Sequence, residues 1–119
     1  MARDDYDVIV YRVLVYLYAC LKRKTIFNES SFRSIVIKNI NEDYFDDVLA
    51  MMQREGLVEG LAFVRDMCGI NIRASDYCDM RITADGIHYL SDNAKMKKVG
   101  EFLADSAEAI AKIAIALLA

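Results

Sequence analysis

The clearest helix in this sequence lies within Asn41–Gly60, NEDYFDDVLAMMQREGLVEG. Asn41 belongs to the residue types that cap helix N-termini, and the two acids after it suit the positive end of a helix dipole. Apolar side chains then recur at i, i+3, i+4 and i+7, at Phe45, Val48, Leu49 and Met52. Gly56 has the residue type preferred just beyond a helix end. The pattern predicts an amphipathic helix over 42–55 with one buried face.

A longer apolar helix is predicted nearer the N-terminus. The run Val8–Leu21 contains 14 residues, and its only charged member is Arg12. Acids precede the run and bases follow it, as the helix dipole favours, which predicts a helix over about 5–23. A bilayer-spanning helix needs about 20 apolar residues. The run therefore indicates a buried helix, and no membrane association is expected.

Short elements are predicted around these two helices. Thr25–Phe27 has the β-branched and aromatic composition of a small strand, and Asn28 is expected to cap a helix over about 29–38. Two further strands are predicted over Leu57–Asp66 and Cys78–Ile82. Thr83 is expected to cap a short helix over 84–90. The order helix, strand, helix, helix, hairpin, helix is that of a winged helix-turn-helix.

The predicted fold class is therefore α+β, mainly α: a winged helix-turn-helix with a long C-terminal helix. A chain of 119 residues has room for one hydrophobic core. Residues 1–93 are expected to form the winged-helix domain. Residues 94–119 are expected to form the C-terminal helix, which is a candidate dimerisation element.

Two motifs resemble the YjcQ family of small bacterial and prophage proteins. One is NEDYFDDVLAMMQREGLVEG at 41–60, and the other is ITADGIHYL at 82–90. The resemblance covers the chain from about residue 5 to about residue 100. It implies a winged-helix-type fold and a phage-associated setting. It brings no catalytic residues, because a fold alone does not supply a function.

Composition and motifs argue against several functions. The net charge of −3 lacks the basic excess that is typical of nucleic-acid-binding domains. The odd cysteine count, without a CxxC pair, favours reduced thiols and a cytoplasmic location. Cys68, Cys78 and His88 are too scattered for a four-ligand zinc site. Phosphate-loop, GxSxG and HExxH motifs are missing. We therefore expect a non-enzymatic protein without a metal or cofactor.

The outward face of helix 42–55 is predicted to be acidic. Its charged members are Asp43, Asp46, Asp47 and Arg54. Carboxylates repel the phosphates that flank a major groove, so sequence reading by this helix is disfavoured. An ordinary solvated face is one interpretation. The other is a docking surface for a basic protein partner, which is the leading functional hypothesis.

DNA contact through other residues is the alternative function. The candidate cations lie on the predicted hairpin and after the first helix: Arg65, Arg73, Arg81, Lys22, Arg23 and Lys24. Arginines on a protruding wing can contact phosphates or enter a minor groove. Acids are interleaved with them, which also fits ordinary surface ion pairs.

The C-terminal segment shows a heptad-like seam. Its members are Met96, Gly100, Leu103, Ala107, Ile110, Ala114 and Leu117. Beyond Glu108 only Lys112 is charged, so the last turns are apolar nearly all round and need to be buried. A continuous helix of about 25 residues would be roughly 37 Å long, more than a domain of this size covers easily. The length favours a homodimer, while folding back against the first helix is the alternative. The leading prediction is thus a homodimeric adaptor or regulator, and the other is a dimeric DNA-binding regulator.

Overall fold

The fold is organised around its first helix, α1 (Tyr6–Leu21), in a computed structural model that describes residues 2–65, 72–74, 76–106 and 108–118. Residues 8–17 of α1 are all buried, because other elements pack on every side of the helix. An apolar run interrupted only by Arg12 suits such a central position. The predicted first helix is confirmed, and α1 is too short to be a membrane span.

The second helical segment ends in an unusual turn. Asn28 caps α2 (Glu29–Phe32), its Oδ1 accepting a 2.9 Å hydrogen bond from the Ser31 backbone N–H. The chain continues as a π-helical turn, Arg33–Ile37, and Lys38 follows at φ 55° and ψ −127°. The helix predicted over 29–38 is therefore present in a modified form. The strand predicted at Thr25–Phe27 is wrong, because this segment pairs with no strand among the described residues.

The helix predicted over 42–55 is confirmed as α3 (Glu42–Arg54). Asn41 Oδ1 accepts a 3.1 Å hydrogen bond from the Tyr44 backbone N–H, as expected of an N-cap. Gly56 follows the helix at φ 80°, a conformation that favours glycine. Local capping and apolar spacing therefore determine both ends of α3.

The predicted hairpin is divided into two short sheets. β1 (Val58–Glu59) pairs antiparallel with β4 (Arg81–Ile82), and β2 (Phe63–Arg65) pairs antiparallel with β3 (Ile72–Ala74). Gly60, at φ 88°, separates β1 from β2, and a Cβ there would overlap the Asp79 carbonyl. This close approach interrupts the strand predicted over Leu57–Asp66, and Asp66 lies outside the described residues.

A capped helix follows β4, as predicted. Thr83 Oγ1 accepts a 2.9 Å hydrogen bond from Gly86 N at the start of α4 (Ala84–Asp92). The same hydroxyl donates to the Gly56 carbonyl at 2.6 Å, which ties α4 to the end of α3. A Cβ at Gly86 would overlap the Leu57 carbonyl oxygen, so glycine allows the close contact. Close packing against Leu57 therefore explains the glycine of the Thr-x-x-Gly motif.

The prediction of one continuous C-terminal helix is wrong. The segment forms α5 (Ala94–Asp105) and α6 (Ala109–Leu118), and both helices pack against α1. Ser106 ends α5, and its hydroxyl donates to the Phe102 carbonyl at 3.1 Å. Because two short helices fold back on the chain, the length argument for a dimer no longer holds.

The heptad seam belongs to the core of its own chain. Its members Met96, Leu103, Ile110, Ala114 and Leu117 are buried without a partner chain. Gly100 is half-buried beside the Tyr11 side chain, and Ala107 lies outside the described residues. The apolar side chains of the described seam residues are therefore already buried within one chain. Association of two chains stays a prediction.

An aromatic cluster joins the N-terminal helices to the segment before β4. Phe32 lies at its centre, and its ring is 5.3–5.9 Å from the four other rings. The cluster consists of Tyr16, Phe27, Phe32, Phe45 and Tyr77.

The mainly α, α+β fold class is confirmed, with small antiparallel sheets. The winged-helix topology stays a prediction, since the element order agrees except for the missing first strand.

Candidate interaction surfaces

One carboxylate of the predicted acidic face is not on the surface. Asp46 is 5% exposed. Its Oδ1 accepts a 2.6 Å hydrogen bond from the Tyr77 hydroxyl, and its Oδ2 accepts a 3.2 Å hydrogen bond from the Ala74 backbone N–H. The assignment of Asp46 to a docking surface is therefore wrong. The side chain instead anchors β3 and the segment after it to α3.

The surroundings of Asp46 shift two pKa values upward. Burial raises the pKa of the Asp46 carboxyl, although the hydrogen bonds from Tyr77 and Ala74 partly oppose this. Burial also raises the pKa of the Tyr77 phenol, and its hydrogen bond to Asp46 adds to the increase. A phenol that stays protonated is a permanent donor to the carboxylate, which fits a structural role.

The exposed side of α3 mixes charged and apolar groups. Asp47 and Arg54 are exposed, and Tyr44 and Met51 are each 37% exposed. Their spacing of three, four and three residues places them on one helix face. We call Tyr44, Asp47, Met51 and Arg54 the α3 stripe. Asp43, the remaining acid of the predicted face, is half-buried beside it.

The structure brings together two of the predicted DNA contacts. Arg23, just after α1, and Arg81, on β4, line one cavity of about 220 Å³. Its other lining is largely apolar and includes Ile26, which is 86% exposed. The unpaired segment Thr25–Phe27 forms one wall. Their proximity was not visible in the sequence, because 57 positions separate the two arginines.

The other candidate cations are distributed over two places. Arg65 on β2 lines a second cavity, of about 310 Å³, together with Arg54 of the α3 stripe. Lys22 and Lys24 are exposed beside Arg23, and the Lys22 ammonium lies 5.3 Å from the centre of the Tyr18 ring. The Arg73 side chain lies outside the described part of the structure. The described candidates thus form two separate basic groups.

The cysteine and histidine candidates do not converge as a described site. Cys68 lies outside the described residues, and His88 is exposed on α4. Cys78 instead lies beside Asp76 and Asp79, with potential ligand atoms within 4.8 Å of one another. Cys78 N donates to Asp76 Oδ1 at 2.9 Å, and its Sγ donates to Asp76 Oδ2 at 3.1 Å. These exposed groups bond to one another, which explains their proximity without a metal.

Sequence reasoning missed a buried charge cluster. Arg12 Nη2 lies 3.0 Å from Glu108 Oε1, and Lys38 Nζ lies 3.1 Å from the same oxygen. Arg3 contributes a further ion pair, its Nε 3.7 Å from Glu108 Oε2. Arg12 Nη1 also donates to the Arg3 carbonyl at 3.0 Å. The available signal was that Arg12 and Glu108 are isolated charges in two apolar segments.

The cluster keeps Glu108 ionised. Its pKa is lowered, because the interactions with Lys38 and Arg12 outweigh the opposing effect of burial. The carboxylate therefore contributes electrostatic attraction between α6, α1 and the π-helical turn. Three cations around one carboxylate leave surplus positive charge in this part of the molecule.

Comparison with known proteins identifies a family. The family model described as YjcQ protein matches residues 11–105, most of the chain. Searches of curated proteins and of solved structures gave no significant match. None of the described helices has the length and apolar character needed to cross a bilayer.

Proposed function

The chain belongs to the YjcQ protein family, and from that premise we propose that it is a non-enzymatic adaptor or regulator that docks a protein partner on the α3 stripe. The observation that carries the proposal is the exposure of Tyr44 and Met51 on either side of Asp47. Aromatic and methionine side chains are enriched at protein interfaces, where burying them stabilises a complex. Asp47 supplies the charge that selects a basic partner.

The character of the stripe favours protein over DNA for this helix. A helix that reads a major groove presents cations and amides to bases and phosphates. The outward face of α3 instead offers a carboxylate, a phenol and a thioether, with Arg54 at its far end. A partner with a lysine or arginine beside an apolar side chain would complement this pattern. Met51 adapts its shape readily to such a surface.

Substitutions in the α3 stripe are expected to weaken partner capture. Asp47→Lys and Met51→Ser should each weaken binding at least about tenfold, since central interface residues carry most of the affinity. The measurement is a quantitative pull-down with the immobilised full chain, followed by titration of the captured protein. Asp46 is left unchanged because its replacement would disturb the fold.

The matched control is Asp92→Lys, which reverses an exposed acid on α4. It should capture the partner as wild type does. Equal capture by Asp47→Lys, Met51→Ser and wild type would contradict the docking role of the stripe. Loss of capture by Asp92→Lys as well would indicate binding through net charge alone.

DNA binding is the second candidate function, supported by the shared cavity of Arg23 and Arg81. If this surface contacts phosphates, replacing both arginines by alanine should weaken binding and reduce its salt dependence. The measurement is a gel-shift titration at low and moderate salt. The control is Lys95→Ala, which removes an exposed cation from α5. The absence of a gel shift even at low salt would contradict DNA binding by this surface.

A further inference from the structure

Surplus positive charge collects where α1, the π-helical turn and α6 meet. Within the described part of the chain, Glu108 is the one carboxylate that Arg3, Arg12 and Lys38 all approach, at 3.0–3.7 Å. One negative charge thus faces three positive charges. Arg12 is 1% exposed, so water screens its interactions poorly. Cations held together in this way repel one another unless a further anion is present.

The three cations border a cavity of about 240 Å³. Besides Arg3, Arg12 and Lys38, its lining consists of Asp4, Asn39, Ile40, Asn41 and Tyr44. Asp4 is the only acid among the described residues of the lining and is exposed to solvent, which screens its charge. The Tyr44 hydroxyl donates to the Asp4 carbonyl at 2.7 Å. The charged lining is therefore mainly cationic.

The lining also contains a polar group with an unused hydrogen-bond donor. Asn41 uses Oδ1 to cap α3, which leaves its side-chain NH₂ available as a donor. Among the described residues, Arg12 Nε is buried without a hydrogen-bond partner and is closed off from the cavity. A buried donor without a partner is costly. Of the two acids in the first turn of α3, Glu42 is engaged by Arg33 and Asp43 is half-buried, and neither belongs to the cavity lining.

Lys38 is held at the cavity in a strained conformation. Its φ of 55° and ψ of −127° form a combination that residues with a side chain rarely adopt. Such strain persists only where the surrounding structure imposes it, and it is frequent at binding sites. The π-helical turn precedes Lys38 directly, and its ammonium forms the ion pair with Glu108.

We propose that this cavity binds a small phosphate-type oxyanion through Arg3, Arg12, Lys38 and the Asn41 amide. Glu108 and Asp4 offset part of the charge of the three cations, and the positive charge that is left attracts the charge of about −1.5 to −2 that a phosphate monoester carries. Guanidinium groups bind tetrahedral oxyanions through several charge-assisted hydrogen bonds. The volume is smaller than the range of about 300–1,000 Å³ that drug-sized ligands occupy, so a small anion fits.

Inorganic phosphate is the first probe. The ¹H–¹⁵N spectrum of the full chain is followed during a phosphate titration, with sodium chloride holding the ionic strength at about 0.15 M. We expect saturable shifts at Lys38, Asn39 and Asn41, with a Kd of about 1 mM. A parallel titration with glycerol phosphate distinguishes a phosphate monoester from free phosphate as the ligand of this site. Tighter binding of the ester assigns the site to phosphate monoesters, and the reverse assigns it to the free ion.

Lys38→Gly is the decisive variant, because glycine accepts the positive φ while the whole lysine side chain, with its ammonium, is removed. It should fold and weaken phosphate binding at least about tenfold. Lys95→Ala is the control, since Lys95 is an exposed cation on α5 and lies outside the cavity lining. Its Kd should equal that of wild type. Arg12 is left unchanged because it belongs to the core.

Two results would overturn the proposal. One is a spectrum that phosphate changes no more than sodium chloride does, which would mean that the cations only neutralise Glu108. The other is an unchanged Kd in Lys38→Gly. The cavity and the α3 stripe share Tyr44, which no variant changes. Phosphate binding is tested at Lys38 and partner capture at Asp47 and Met51, so the two proposals fail or succeed separately.

Discussion

Replacing Arg12 by methionine is expected to lower the free energy of unfolding by about 3–5 kcal/mol, the cost of leaving a buried charge without its partner. Methionine retains much of the apolar stem of arginine, so the loss arises mainly from Glu108, which stays buried. Lys38 and Arg3 compensate it only partly, because their side chains are 30% and 64% exposed. Urea unfolding followed by circular dichroism measures the change.

The matched control for Arg12→Met is Arg33→Met. Arg33 forms ion pairs with Glu29 and Glu42, but these side chains are all about half exposed or more. Exposed ion pairs contribute at most about 1 kcal/mol, so this variant should lose far less stability. Equal losses in the two variants would contradict the burial of the Arg12–Glu108 pair.

A double variant and a pH series separate charge from packing. Arg12→Met combined with Glu108→Leu should recover most of the stability, because an apolar pair often replaces a buried ion pair without loss. The pKa of Glu108 is lowered in the folded chain. Its stabilisation is therefore present above the ordinary glutamate pKa and is lost as the pH falls through the folded-state pKa. The double variant should lack this acid-dependent contribution.

Phe32→Ala is expected to cost about 3–5 kcal/mol, the range observed when a buried phenylalanine is removed. Phe32 has no exposed surface and lies at the centre of the aromatic cluster. Its ring contacts aromatic rings from α1, α3 and the segment before β4. The cavity that alanine would leave there therefore cannot close through the movement of one neighbour. Chemical unfolding of the full chain measures the loss.

Ile26→Ala serves as the control for Phe32→Ala. Ile26 lies in the adjoining segment but is 86% exposed, so its removal should change stability by no more than about 0.5 kcal/mol. A loss below about 1 kcal/mol for Phe32→Ala would contradict the central position of this ring.

The sequence by itself determined the elements whose signals are local. Asn41 caps α3 and Thr83 caps α4, because a cap needs only residues within one helical turn. The apolar spacing within α3 identified its buried face for the same reason. The apolar content of the C-terminal segment also required burial, although not burial by any particular surface.

Only the tertiary structure decided which groups meet across the chain. Asp46 has the same residue type as its neighbour Asp47, yet Tyr77, 31 positions later, makes it a buried acceptor. Arg12 and Glu108 are 96 positions apart, and their pairing accompanies the packing of α6 on α1. Helical periodicity gave no sign of the break after Asp105, because apolar spacing indicates which face of a helix is buried and not whether the helix is continuous. Local patterns therefore determine helices and their ends, whereas partners at long range depend on how the whole core closes.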